Sequence, residues 1–236
     1  MIFKKNKPIN VTLITSSQQV FDTSKPDKAL KFIPSWFEHF NHSYKIGDGV
    51  YPTIKGCRGL IDLYKRGLMI PAWCDMNVNI GELGNDAHSW QFADFKTEAE
   101  PHSYEQFPNE VGIKSLAHLK VISPWRMICD EEIYWSWQEP VWNDFKNFSY
   151  RIIPGVSEYK YQHNLNINFM FKRQLKSYEC FIKNNFPLVH ITPLSDRQNL
   201  KINYECVSEE DFKKTETPKV GFINNYLKAV KLIKRK

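Results

Sequence analysis

The sequence lacks long apolar runs and the short motifs that identify the commonest enzyme classes. No stretch approaches the roughly 20 apolar residues of a membrane-spanning helix, and the first residues show no signal-peptide pattern. There is no P-loop, no glycine-rich dinucleotide fingerprint and no GxSxG motif. We therefore expect neither a membrane partner nor a kinase-like or Rossmann enzyme.

Cysteine is scarce, and acidic residues are missing from the C-terminus. The five cysteines are an odd number without a CxxC pair, which predicts reduced thiols in a cytosolic setting. The last eighteen residues hold six Lys or Arg and no acid, whereas the basic and acidic residues of the remaining chain balance. A nucleic-acid protein should carry a basic face on its body. Nucleic acid is therefore not an expected partner, apart from the basic tail.

The chain does contain a series of strand patterns. They recur at spacings of roughly ten residues with turn residues between them, which is typical of a sandwich or barrel. We predict an all-β core, either a sandwich or a β-clip-like barrel, with at least seven strands within residues 68–206. The predicted strands cover 10–15, 68–80, 89–95, 118–129, 133–137, 148–153, 164–171, 178–182, 188–194 and 200–206.

Helical patterns are few. An apolar stripe at 60–64 predicts an internal helix near 55–66, with Gly67 where a C-terminal cap should stand. SEEDFKK predicts a short helix with a serine cap, and the aromatic segment 31–40 predicts a loop over the core. The predicted organisation is an N-terminal arm packed on the core (1–50), a β-rich core domain (51–218) and a basic C-terminal helix (219–236).

The clearest alternation lies in 164–171, where apolar residues alternate with three asparagines. Asparagine is a poor strand former, so three on one face need an explanation. A hydrogen-bonded ladder, a plain surface or a ligand-facing wall would each serve. Asn166 and Asn168 are therefore candidate ligand-binding residues.

Trp135 and Trp137 are the other candidate ligand-binding residues, because their side chains share one face of a predicted strand. Aromatic pairs of this kind stack on bases or sugars. In a β-sandwich they also fill the space between the sheets, and this second interpretation is the one we favour.

Four segments resemble an uncharacterised protein family carried by T4-like bacteriophages of marine bacteria. In chain order they are TIKGCRGLIDLYKRGLMIPAWCD, AHLKVISPW, PGVSEYKYQHNLNIN and PLVHITPL. This resemblance covers nearly the whole chain. It implies a phage origin and, as location, the cytoplasm of the infected host cell.

A second resemblance covers residues 154–194, which are similar in layout to the C-terminal hairpins of the dUTPase and dCTP-deaminase fold. It sets Glu158 at the catalytic Asp of that family and Tyr161 at the Tyr that stacks near the sugar. Gln162 and His163 replace an Arg-Gly pair, and the phosphate-binding segment of the family is absent. The acidic EEIYWSWQEP stands in the comparable place and would repel a triphosphate. The resemblance thus supports the fold and argues against that activity.

Candidate catalytic residues are therefore Glu158, Tyr161 and His163, with Glu158 as a general base that needs a shifted pKa and reach to a water. We expect instead that Glu158 is an exposed residue after a type II turn at Pro154 and Gly155. His88 and His102 are weak candidates for a metal site, since no His-x-Asp or His-x-Glu pair accompanies them. No metal and no cofactor are predicted.

Together these patterns favour a soluble, non-enzymatic phage accessory protein. We expect it to form a homo-oligomer and to bind a small ligand, or a phage or host protein, through its β-rich core. A nucleotide-processing hydrolase of dUTPase-like fold is one alternative. A structural component of the virion is the other.

Overall fold

The computed structural model describes residues 7–84, 88–93, 97–102, 115–141 and 150–216. In these ranges the chain is mostly β, and its strands form open sheets without a closed barrel. This architecture confirms the predicted all-β class and is consistent with a sandwich-like fold. The predicted helix at 219–236 lies outside the described residues. No helix in the described ranges is long and apolar enough to cross a membrane.

Twelve strands lie in the described parts of 68–206, which agrees with the prediction of at least seven. The strands are β1 (Ile9–Thr15), β2 (Asp27–Lys28), β3 (Ser43–Ile46), β4 (Gly49–Pro52), β5 (Leu68–Pro71), β6 (Met76–Ile80), β7 (His88–Phe92), β8 (Ala99–His102), β9 (Leu116–Ile128), β10 (Tyr134–Gln138), β11 (Tyr150–Ile152), β12 (Gly155–Glu158), β13 (Asn164–Lys172), β14 (Tyr178–Ile182), β15 (Pro187–Pro193) and β16 (Leu200–Cys206). The helices are α1 (Gln18–Thr23), α2 (Ser35–His39), α3 (Arg58–Tyr64) and α4 (Glu209–Lys214), with 3₁₀ turns at Ala29–Phe32 and Ile54–Gly56.

The largest sheet has the strand order β11-β13-β9-β1-β16, and β8 also pairs with β9. β1 is parallel to β16 and antiparallel to β9, so it is an inner strand. The stretch assigned to an N-terminal arm therefore contributes a strand to the middle of this sheet. The apolar positions of β13 point inward as predicted, and Leu165, Ile167, Phe169 and Phe171 are all buried.

A second sheet, β12-β10-β15-β5-β2, and a third, β14-β6-β7, supply further apolar side chains to the main core. The other face of the second sheet is covered by the helical region. There Met69 packs with Phe37, Leu60 and Tyr64. A separate hairpin, β3–β4, forms a fourth, two-stranded sheet. The second sheet thus has core on one face and helices on the other.

The internal helix forms as predicted, as a 3₁₀ turn followed by α3. Gly67 follows with a φ of +72°, in the left-handed region that glycine favours. A Cβ at this position would lie 1.9 Å from the carbonyl oxygen of Ile191, so a side chain does not fit. The predicted short helix forms as α4, and the side chain of Ser208 accepts a hydrogen bond from the amide of Asp211.

Three local predictions were wrong. Residues 31–40 are not a loop, because Pro34 stands just before α2, where a fixed φ suits a helix start. The stretch 68–80 is not one strand, since β5 and β6 belong to different sheets. Gly155 is not the left-handed residue of a type II turn, because it begins β12, which pairs with β10.

Candidate functional site on the largest sheet

The side of the largest sheet that faces away from the core carries a continuous row of polar side chains. Cross-strand pairing sets Asn168 opposite Lys120 and Lys120 opposite Glu100. In the next row, Met170 lies opposite His118, and His118 lies opposite His102. We call this surface the outer polar face; its polar members are Asn164, Asn166, Asn168, His118, Lys120, Arg126, Glu100 and His102.

One end of the outer polar face is held by interactions within the sheet. The Nε2 atom of His118 lies 3.2 Å from Oδ1 of Asn168, and its ring stacks on His102 with centroids 4.5 Å apart. Burial lowers the pKa of His118, as do the nearby charges of His102 and Lys120, while the contact with Asn168 opposes this shift. Lys120 forms an ion pair with Glu100. Asn168 thus contacts a histidine, whereas Oδ1 of Asn164 and of Asn166 has no hydrogen-bond partner in the described ranges. The hydrogen-bonded asparagine ladder, one of the three interpretations, is therefore not formed by these contacts.

At the other end, α4 is fastened to the sheet by Arg126. The guanidinium donates hydrogen bonds to the carbonyl oxygen of Phe212 and, at 2.9 Å, to the hydroxyl of Thr215. It also lies 3.9 Å above the centre of the Phe212 ring, a cation–π geometry. Nδ1 of His163 is 3.1 Å from the carbonyl oxygen of Thr215. These contacts fix the chain just beyond β16 across the sheet.

A cavity of about 550 Å³ lies between α4 and the outer polar face. This volume is in the range of small-molecule sites. Oδ1 of Asn164 is buried there and has no hydrogen-bond partner within the described ranges. The cavity is lined by Ser16, Ser17, Thr97, Glu98, Ile122, Ser123, Pro124, Arg126, Asn164, Glu209, Phe212, Lys213 and Glu216.

The cavity carries one negative charge in excess, from three carboxylates and two basic side chains. Burial lowers the pKa of Arg126, and the charges of Glu216, Glu209 and Glu98 oppose that shift. Both cations are already engaged, since Arg126 holds α4 and Nζ of Lys213 lies 3.7 Å from Glu209. The site therefore offers more acceptors than donors to a ligand.

The three candidate catalytic residues make different contacts. The hydroxyl of Tyr161 donates a 2.8 Å hydrogen bond to Glu132 at the surface, and His163 contacts the backbone near α4. Glu158 was expected at an exposed corner, but only 8% of it is exposed, because it ends β12 within the second sheet. Its Oε1 atom is buried without a hydrogen-bond partner in the described part of the chain. None of the three lines the cavity beneath α4.

The candidate ligand-binding residues separate into two groups. Asn166 and Asn168 lie on the outer polar face, as the alternation predicted. Trp135 and Trp137 are 0% and 6% exposed, and their rings pack 6.3 and 6.4 Å from the ring of Tyr159. These tryptophans fill the core and present no ring face to a ligand.

The weak metal candidates also lie apart. His88 is on β7 in the third sheet, whereas His102 is on β8 in the largest sheet. Across the described residues, no group of three or more His, Cys, Asp or Glu side chains could hold a metal ion. The ring of His102 stacks on the ring of His118, which is a packing arrangement.

Sequence reasoning missed Arg126 and the cavity. Arg126 does continue the alternation of β9, in which even-numbered residues from His118 onward point outward. That alternation could have identified it as an outward-facing cation. Its partner helix is 86 residues further along the chain, so no local pattern indicated the contact. Comparison with protein-family models, curated proteins and solved structures gives no match.

Proposed function

We propose that this protein is a non-enzymatic binding protein that holds a small, positively charged ligand in the cavity beneath α4. The observation that carries the proposal is the surplus of acceptors in the lining. Glu98 and Glu216 contribute carboxylates, and the cation that they interact with in the lining, Arg126, is shared with Glu209. An ammonium group brings three donors and no acceptor. It would pair with these carboxylates.

A phosphate or carboxylate ligand fits the same cavity poorly. The guanidinium of Arg126 is directed at the Phe212 carbonyl and the Thr215 hydroxyl, and it does not stand free in the cavity. Three carboxylates around the cavity would repel an anion. This electrostatic argument is why we do not propose a nucleotide hydrolase.

The proposed setting is the cytoplasm of a phage-infected cell, where the protein would act as an accessory factor. This part of the proposal is supported by the resemblance of four segments to a family of T4-like phages. A protein partner could present the cation as a lysine or arginine side chain, but a cavity of about 550 Å³ suits a complete small molecule. We therefore propose a small cationic molecule.

Self-association is the second part of the proposal. The β3–β4 hairpin exposes Tyr44, Ile46, Val50 and Tyr51, each with 46% or more of its surface accessible. It pairs with no other described strand, and an isolated two-stranded hairpin is marginally stable in water. We propose that a second copy of the chain covers this hairpin.

Calorimetric titration with 1,4-diaminobutane tests the binding proposal. The probe should bind the full-length protein, and Glu98→Gln should weaken binding by about tenfold, the size expected for one charge-assisted hydrogen bond. Inorganic phosphate should not bind in the cavity.

Glu82→Gln is the matched control, because Glu82 is an exposed carboxylate outside the cavity lining. The affinity of the Glu82→Gln variant for 1,4-diaminobutane should equal that of the wild-type protein. No measurable diamine binding, or equal losses in the Glu98 and Glu82 variants, would contradict the proposal.

A further inference from the structure

The third sheet presents a small polar array on the side opposite its core face. Cross-strand pairing sets Phe181, Asn77 and Gln91 in one row across β14, β6 and β7. Glu179, Asn79 and Ser89 form the neighbouring row. From strand spacing and rise, the array measures roughly 7 by 10 Å. We call it the amide face.

The amide face lies on a rigid support. The residues that alternate with it on β6, namely Met76, Val78 and Ile80, are each 3% exposed or less. Cys180 and Ile182 of β14 are buried beside them. Because these side chains are held in the main core, the outward side chains are anchored at fixed spacings.

The amide face is also concave. A groove of about 380 Å³ is lined by Asn77, Asn79, Ser89, Trp90, Gln91 and Glu179. Oδ1 of Asn77 is buried at this surface and has no hydrogen-bond partner in the described part of the chain. Phe181, beside Asn77, is 55% exposed. The groove thus combines amides, a hydroxyl and a carboxylate with an adjoining aromatic ring.

We propose that the amide face binds a neutral oligosaccharide. A sugar hydroxyl both donates and accepts, which matches the paired donors and acceptors of side-chain amides. The amides of Asn77 and Gln91 would form hydrogen bonds with sugar hydroxyls, and the exposed ring of Phe181 would pack against the apolar face of a sugar ring. Asparagine is a poor strand former, so strand stability does not account for Asn77 and Asn79 on one face of β6.

The charge of the groove lining favours a neutral oligosaccharide over charged polymers. Glu179 is the one charged side chain among the described residues that line the groove. A phosphate-rich polymer needs basic side chains, and the groove lining supplies none. A peptide strand would require pockets for alternate side chains, whereas the two rows of the amide face carry mostly polar groups.

Saturation-transfer NMR and calorimetry with maltohexaose and cellohexaose test this proposal on the full-length protein. One of these two probes should bind, and Phe181→Ala and Asn77→Ala should each weaken that binding on the order of tenfold. Dextran sulfate, an anionic polymer, should not compete.

Two variants outside the groove serve as controls. Leu194→Ala removes an exposed apolar side chain elsewhere, and Asn203→Ala removes an exposed amide on β16. Both variants should bind the oligosaccharide as the wild type does. Glu98→Gln should also bind it normally, because Glu98 belongs to the cavity beneath α4, so this result would distinguish the two proposed sites. Failure of both oligosaccharides to bind, unchanged binding in Phe181→Ala, or competition by dextran sulfate would overturn the proposal.

Discussion

At the scale of single residues, Phe169 is central to the packing beneath the largest sheet. It is 1% exposed, and its ring lies 5.2 Å from Tyr150 and 5.8 Å from Phe171. Phe169→Ala removes a buried aromatic side chain and leaves a cavity. We expect the free energy of unfolding to fall by about 3–5 kcal/mol, measured by urea denaturation.

Asn168 provides the matched comparison, because it is the adjacent residue and points to the outer polar face. Its side chain contributes one hydrogen-bonding contact, with His118 at 3.2 Å. Asn168→Ala should therefore cost about 1 kcal/mol. Equal losses at positions 168 and 169 would show that the faces of β13 are assigned incorrectly.

Two histidines, the buried His190 and the half-buried His118, make stability depend on pH. Burial lowers the pKa of His190, opposed by a contact with the Arg66 carbonyl, and burial also lowers the pKa of His118. Below pH 6.5, the ordinary pKa of histidine, these imidazoles bind protons more readily in the unfolded chain than in the folded protein. The contribution of the neutral imidazoles to the free energy of unfolding is therefore fully present above pH 6.5. It is lost as the pH falls through their pKa values in the folded protein. The melting temperature should decrease on acidification from about pH 7 to about pH 5.

Substitution can separate the contribution of His118 to this pH dependence. His118 faces His102, Lys120 and Asn168 on the neighbouring strands, and Lys120 pairs with Glu100. His118→Gln keeps a polar side chain but removes the titrating group, so the melting temperature should depend less on pH. His42→Gln, at an exposed position, should leave the dependence unchanged. A dependence equal to that of the wild type in His118→Gln would contradict this account.

Burial of individual residues was predictable only where periodicity is strong. The alternation in 164–171 correctly predicted which side chains of β13 are buried. Glu158 was misjudged because a Pro-Gly pair suggested an exposed turn. β12 instead pairs with β10, and this long-range pairing buries the carboxylate. Tertiary pairing overrode the local turn signal.

At the scale of secondary-structure elements, the β3–β4 hairpin differs most from the rest of the fold. Tyr44 and Tyr51 are a cross-strand pair with ring centroids 5.7 Å apart, and both are exposed. Ile46 extends the same apolar face. Such a face is suited to a two-fold contact, in which the same patch is used by both subunits.

Light scattering coupled to size exclusion tests this assignment. The wild-type protein should elute as an oligomer, and the double variant Tyr44→Ser, Tyr51→Ser should elute as a monomer, because it removes the apolar face. Leu175→Ser is the control, since Leu175 is 86% exposed and lies outside the hairpin. A monomeric wild-type protein, or an unchanged mass in the double variant, would refute self-association through the hairpin.

A helix or strand could be predicted from the sequence where residues at its ends or along its length carry a clear local pattern. Gly67 marked the end of the α3 region, and Ser208 marked the start of α4. The hairpin and β8 were missed, because their short strands carry no clear alternation of buried and exposed residues. The division of 68–80 into β5 and β6 follows from sheet membership, which no local window contains.

At the scale of the whole molecule, both proposed sites are products of long-range pairing. The cavity beneath α4 joins residues from the loop before β8, the middle of β9, the start of β13 and α4. The amide face needs β14 beside β6, although about a hundred residues separate them. The class of fold could be predicted from periodicity, whereas these sites depend on which strands become neighbours.

The central claim is that the cavity between α4 and the outer polar face is a cation site. Backbone NMR of the labelled full-length protein, titrated with 1,4-diaminobutane, tests it most directly. We predict that shift changes concentrate at Ser123, Arg126 and Asn164 and in α4, which contribute to the cavity lining. Shift changes scattered over exposed carboxylates elsewhere, with none around Arg126 and Asn164, would contradict the account.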